Sequence, residues 1–303
     1  MNAPVPDQGW LRAMPWVFVL IWSTGFIVAR FGMPHSPPFS FLAVRYLLSI
    51  LCFLPWILIA GVRWPEGRSQ WFHLGVTGVL MHAGYLGGVW AAVKAGMGAG
   101  LSALIVGLQP VLTAVWLSAS GGSVSRRQWL GLSLGLAGLV LVVSRKFEAG
   151  GPGDSATLEN LCWAVLALVA ITTGTLYQKR FVAPCDVRTA NTLQLLAALI
   201  VTLPVALLEA EPMRWSVQLA GALAWSVLGL TLGGSSLLYL LIQRGAATTV
   251  ASYMYLVPPT TALVAWVLFG EPITTATIAG TVLTAVGVAL VVRAPAASPP
   301  RSR

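Results

Sequence analysis

The chain has 303 residues, of which 57% are hydrophobic and 9% charged, where an ordinary soluble domain carries roughly 25% charged residues. Too few polar groups remain to cover a water-facing surface, and disorder is excluded because it requires low hydrophobicity. The formal charge of +9 comes from basic residues scattered as ones and twos between apolar runs, so no clustered basic face points to nucleic acid.

A helix crossing the hydrocarbon core needs about 20 mostly apolar residues, whereas an outer-membrane barrel reads as short alternating segments. The mean hydropathy of +0.81 is carried by long continuous runs. In chain order they predict spans at 14–31, 38–60, 71–93, 98–118, 128–144, 158–180, 190–208, 217–242, 247–269 and 275–292. The expected fold class is therefore an all-α integral membrane protein with ten transmembrane helices. The Gly-rich segment 145–157 reads as a flexible linker near the middle. It leaves 1–144 as a first half, 158–293 as a second and 294–303 as a tail. The first span follows Arg12 and lacks a small-residue cleavage site, so no cleavable signal peptide is expected. Cys52, Cys162 and Cys185 have neither metal spacing nor a pairing pattern.

Basic residues set the expected orientation. With the N-terminus cytoplasmic, the inner segments hold 12 Lys and Arg and the outer ones 5, the last, Arg45, lying within a span. That bias predicts both termini inside, with the pair Arg145 and Lys146 as an exception.

The chain also repeats itself at one ungapped offset of 149, and internal repeats decide architecture. Ser23-Thr24-Gly25 meets Thr172-Thr173-Gly174, Leu54-Pro55 meets Leu203-Pro204, and Gly84 meets Gly233. Trp90 meets Tyr239, Pro110 meets Pro259, and Gly131 and Gly138 meet Gly280 and Gly287. Five spans per half is an odd number, so the second half enters the membrane from the opposite side. Such inverted repeats are common in secondary transporters, with a solute site near the midplane and helix breaks at matching positions of the halves. The matched breaks here are Pro110 and Pro258-Pro259.

These residues resemble a family. Trp22-Ser23-Thr24-Gly25-Phe26, the run Pro37 to Tyr46 that includes Arg45, Gln109-Pro110, Gln128 to Gly131, and Gly270-Glu271-Pro272 are similar to the ten-helix drug/metabolite transporters built from two EamA-type repeats. The first half departs from the pattern, with Gly121-Gly122 where the second has Gly270-Glu271. The resemblance implies two five-helix repeats and small-metabolite transport. The Trp-rich composition and short loops look like bacterial exporters of aromatic amino acids.

Polar and aromatic groups within spans are the candidates for contact with a solute, because polar groups there usually face a cavity or a partner. They are His82, Tyr85, Trp90, Gln109, Trp163, Tyr177, Tyr239, Ser252 and Tyr255. Arg45, Pro110, Pro258 and Pro259 are expected to gate or to support. Arg45 reads either as an anchor for a carboxylate or as a structural group snorkelling outward, and its repeat partner is Gln194. Aromatic faces with uncharged hydrogen-bonding groups suit a neutral or zwitterionic solute. A phosphorylated one calls for clustered Arg or Lys. Trp10, Trp16, Trp71, Trp129 and Trp215 belong to the interfacial belt.

The function expected is a secondary exporter of amino acids, aromatic ones above all, working by alternating access without ion coupling. No Asp or Glu lies deep within a span, and among titratable groups at depth His82 stands alone. An exporter of other metabolites or drugs, or a channel, are the alternatives. An enzyme needs clustered carboxylates, histidines or cysteines, which the pattern lacks. No metal or cofactor is expected, and the partners are a small-molecule solute and the lipid bilayer; the sequence leaves the oligomeric state open, a monomer included.

Overall fold

The computed structural model describes residues 8–119, 125–149, 156–243, 257–270 and 273–292. They form α1 (Gln8–Gly32), α2 (Pro38–Ile59), α3 (Arg68–Lys94), α4 (Ala99–Val106 continued by Gln109–Ala119) and α5 (Arg126–Ala149). The second half has α6 (Leu158–Phe181), α7 (Val187–Leu208), α8 (Val217–Trp225, Ser226–Ser235 and Ser236–Gln243), α9 (Val257–Phe269) and α10 (Thr275–Val292). The described residues contain no strand. Helices α1, α2, α3, α6, α7 and α8 are long and apolar enough to cross a membrane, and α4, α5, α9 and α10 are shorter apolar helices. Large side chains such as Leu20, Leu51, Ile200 and Val282 stand exposed on the outside of the bundle, the surface a bilayer covers.

Local chemistry sets where the helices begin. Pro38 opens α2, where a missing N–H costs nothing. Thr157 and Asn160 close a reciprocal capping box on α6. Asp186 accepts from the Arg188 N–H at 2.9 Å to cap α7, and Ser216 accepts from the Leu219 N–H at 3.1 Å to cap α8. Helix α2 has no side-chain cap of its own within its half. Glu209, from the end of α7, supplies it: its carboxylate accepts from the Phe39 and Ser40 N–H groups at 3.0 and 2.7 Å and from the Ser40 hydroxyl at 2.7 Å.

Contacts between the halves come in reciprocal pairs, as a two-fold axis requires. A methyl on Gly25 would lie 3.6 Å from Leu230, and one on the equivalent Gly174 only 2.6 Å from the equivalent Met81. Gly84 faces Ala170 at 3.0 Å, and Gly233 faces Ile21 at 3.7 Å. On α5 and α10, Gly138 abuts the Gly280 carbonyl while Gly287 abuts that of Gly131. Thr284 donates to the Gly135 carbonyl at 3.4 Å, between residues 149 apart in sequence. Glycines let these backbones approach, which is how membrane helices associate without a hydrophobic driving force. The last of these pairs places the axis between α5 and α10, and α2 packs on its equivalent α7 in the same way.

Both halves interrupt their third helix with a π-helical stretch, Val79–Leu86 in α3 and Ser226–Ser235 in α8. A π stretch widens the turn and is frequent at functional sites. The freed carbonyls find side-chain partners. Tyr46 donates to the His82 carbonyl at 2.8 Å, Thr231 to that of Ser226 at 2.9 Å, and Ser235 to that of Leu230 at 3.3 Å.

Candidate functional site

The two π stretches face an open cleft of about 640 Å³, the space at its mouth included, walled by Trp22 and Phe26 of α1, Arg45 of α2, α3, α6, α7 and α8. Two equivalent pairs of polar groups stand at its wall, Arg45, His82 and Gln194 lining it and Thr231 backing Arg45. Arg45 Nε donates to Thr231 Oγ1 at 3.1 Å. At the equivalent positions, the Gln194 amide stands beside the His82 ring. The axis relating the halves therefore runs through the cleft.

Arg45 is buried at 3% exposure, so it does not snorkel. Trp90 is fully buried and stacks on Phe41 with centroids 4.2 Å apart. Trp22 and Tyr85 lie parallel at 6.3 Å and form another wall. Tyr239 closes the far end, its hydroxyl 3.0 Å from Cys185 Sγ. His82, Tyr85, Trp90, Tyr239 and Arg45 are thus brought together from the residues expected.

Gln109 lies one chamber away. A smaller open pocket of about 270 Å³, the space at its mouth included, shares Trp22 and Phe26 with the cleft and is lined by Gln109 and Gly107. Gln109 donates to Thr175 at 3.0 Å. Helix α4 breaks here at Gly107 and Leu108, and Pro110 is the second residue after the break. Pro258 is buried at the start of α9, where a methyl on Gly107 would come within 2.8 Å of it. The residues beside the interruptions, Gly107 and Gln109 on α4 and Val257 on α9, line the smaller pocket.

Two expected residues do not line the cleft. Trp163 turns away to meet the edge of Phe39 at 6.1 Å, and its carbonyl packs on Gly88. Tyr177 bonds His73 Nδ1 at 2.7 Å and packs on Phe181, near the end of α6. Ser252 and Tyr255 lie outside the described residues, as do the Gly-rich part of the linker and the tail. Sequence reasoning passed over Trp22, Gln178 and Asn191 as lining groups. The latter two lie within about a turn of span ends, where polar residues raise no suspicion.

Polar contacts tie the halves on each face of the bundle. On one face Lys94 pairs with Glu211 at 2.7 Å and donates to the Met33 carbonyl at 3.0 Å, beside the Glu209 cap. On the other, Gln70 exchanges two hydrogen bonds with the Ala183 backbone, and the Arg188 guanidinium stands 5.2 Å over Trp56.

The architecture is that of an all-helical, multi-span membrane protein with two inverted five-helix repeats around a central cleft. Known proteins define it further. The chain belongs to the EamA-like transporter family, which matches it twice, at residues 13–144 and 159–293. It is 25% identical over 257 residues to an uncharacterized inner membrane transporter, YedA, of Escherichia coli K12, covering 83% of this chain and 80% of that protein. It is 26% identical over 281 residues to a probable amino-acid metabolite efflux pump of Salmonella typhimurium, covering 89% and 90%. A solved protein crystal structure shares the fold with a TM-score of 0.66 at 19% identity, over 94% of this chain and 96% of that one.

Proposed function

We propose that this chain is a secondary exporter of small zwitterionic or neutral metabolites, aromatic and other amino acids first among them. It sits in the inner membrane with both termini cytoplasmic. The halves 1–144 and 158–293 rock about the axis between α2 and α7 and expose the cleft to one side at a time. The observation that carries this reading is the cleft itself. It lies on the axis relating two inverted repeats, and it mixes aromatic walls with uncharged hydrogen-bonding groups and a guanidinium. The Salmonella relative, a probable amino-acid metabolite efflux pump, is in keeping with it.

The transporter works as a facilitator, moving its solute down the solute's own gradient. None of the described Asp or Glu residues lines the cleft, and a buried carboxylate is the common site of proton or sodium coupling. The test is counterflow in proteoliposomes across a panel of amino acids. Saturable exchange of aromatic amino acids without an ion gradient is the expected result. Uphill accumulation driven by an imposed pH or sodium gradient overturns the facilitator reading, and non-saturable flux overturns alternating access in favour of a channel.

A further inference from the structure

Transport of a small solute leaves open which end of it the cleft grips, and the centre of the cleft answers that. The equivalent residues Arg45 and Gln194 are both buried, at 3% exposure each, and both line the cleft. Both bring donors that the described residues leave largely unmatched. A guanidinium carries five N–H groups, and only the one on Arg45 Nε has a hydrogen-bond partner among the described residues, the Thr231 hydroxyl. The described ion pairs are Lys94 with Glu211 and Arg188 with Asp186, so no described carboxylate neutralises Arg45. The Gln194 side chain meets His82, and its Nε2 is buried with no partner among the described residues. Its position is enforced from behind, because the Gln194 backbone packs directly on Gly78 of α3.

Buried donors left without acceptors are costly, charged ones more so. The group that satisfies a guanidinium fork and an amide N–H together, and cancels one positive charge, is a carboxylate with two acceptor oxygens. A phosphate brings up to two charges to a cleft where, among the described lining residues, Arg45 alone is cationic. No described acidic side chain lines the cleft to meet an ammonium, and Arg45 repels one.

We propose that the cleft is a carboxylate site, with Arg45 and Gln194 holding the two oxygens and the aromatic walls holding an apolar body, and that a solute's amino group is not read. The proposal rests on the transporter reading above and narrows it. Aryl-substituted acids without an amino group are substrates alongside amino acids, and the corresponding amines and amides are not.

The test is calorimetric titration of the full chain in detergent micelles with phenylalanine, 3-phenylpropanoate, 3-phenyllactate, phenethylamine and phenylalaninamide. The three acids should bind within a few-fold of one another, and the amine and the amide about tenfold more weakly or worse. Arg45→Gln should weaken the acids about 10- to 100-fold. Gln194→Met keeps the volume and charge balance but removes the orphan donor, and should weaken them about five- to tenfold. It decides the matter where Arg45→Gln does not fold. Amine binding as tight as acid binding, unchanged acid affinity in Gln194→Met, or no binding by any of the five overturns the proposal. Counterflow with the same compounds separates it from the transporter reading. Acids that bind but never cross defeat transport and leave the carboxylate site standing. Phenethylamine crossing where 3-phenylpropanoate does not defeats the carboxylate site and leaves transport standing.

Discussion

Gly78 is the most informative single position for testing how the cleft is built. It lies on α3 at the start of the π stretch, and the backbone of Gln194 faces it from α7. An added methyl would run into the Gln194 carbonyl oxygen and stand 2.5 Å from its Cα and 2.6 Å from its carbonyl carbon. Carbon atoms prefer about 3.5–4.0 Å, so α3 and α7 must part by roughly 1 Å. The crowded atoms are backbone, and no rotamer change relieves them. Gly78→Ala gains about 0.5–1 kcal/mol of helix propensity and loses about 1–3 kcal/mol to overpacking. The net expectation is a loss of about 1–2 kcal/mol, lowering the melting temperature by roughly 2–4 °C. Solute binding should suffer more than stability, because the same movement carries Gln194 away from His82 and Arg45. Gly221→Ala on α8 is the control. Nothing lies within 4 Å of its added methyl, so it should be neutral or stabilising by up to about 1 kcal/mol. Melting curves and solute titrations on both variants in micelles provide the comparison. A Gly78→Ala protein with wild-type melting and binding refutes the packing argument.

Glu209→Gln removes the charge from the cap that crosses between the halves at α2. Hydrogen bonds to a charged group are worth about 1.5–3 kcal/mol, so a cysteine placed at Leu86 in the cleft should react with an impermeant maleimide roughly tenfold faster. Equal reaction rates count against a latch there. Trp90→Ala empties a fully buried site against Phe41 and should cost about 3–5 kcal/mol in thermal unfolding, whereas Trp163→Ala should leave solute affinity unchanged; reversed effects on affinity refute the assignment of cleft walls. The hydrogen bond from the Arg188 side chain holds the Asp186 carboxyl below the ordinary carboxylate range. A depressed value makes its stabilising contribution fully present above about pH 4 and lost as the pH falls below it. Wild type should therefore lose melting temperature more steeply than Asp186→Asn in acid, and parallel curves refute that.

The number and order of helices were legible because a bilayer demands long apolar runs, and the runs from Ala13 to Leu241 are separated by short polar loops. The repeat was legible because prolines and glycines are kept where backbones touch, as at Gly138 and Gly287. The π stretches were not. Gly84, Gly87 and Gly88 mark a close approach in α3, but an extra residue per turn leaves no period in a uniformly apolar segment. The same uniformity hid which face of α6 turns inward. Trp163 is aromatic and within a span, yet Gly88 receives its backbone and Phe39 its ring. Arg45 allowed two readings because it lies near a span end in sequence. Packing against Thr231, which is distant along the chain, selected the buried one.

Symmetry of backbone and asymmetry of side chain explain why one charge suffices at the centre. The paired positions 45 with 194 and 82 with 231 carry Arg and Gln, and His and Thr. Two arginines related by the axis would face each other across the cleft and repel at short range. With Gln194 opposite Arg45 the bound carboxylate finds donors on both sides and a net charge it can cancel. Groups close to a rotation axis move least when the halves exchange conformations. In the proposed mechanism the grip at Arg45 and Gln194 is therefore nearly the same whichever face is open, while contacts far from the axis break and re-form. Equal affinity in both states shifts no equilibrium between them. Such a cleft carries its solute whichever way the concentration difference points, and net export follows from a cell that makes more of it than its surroundings hold.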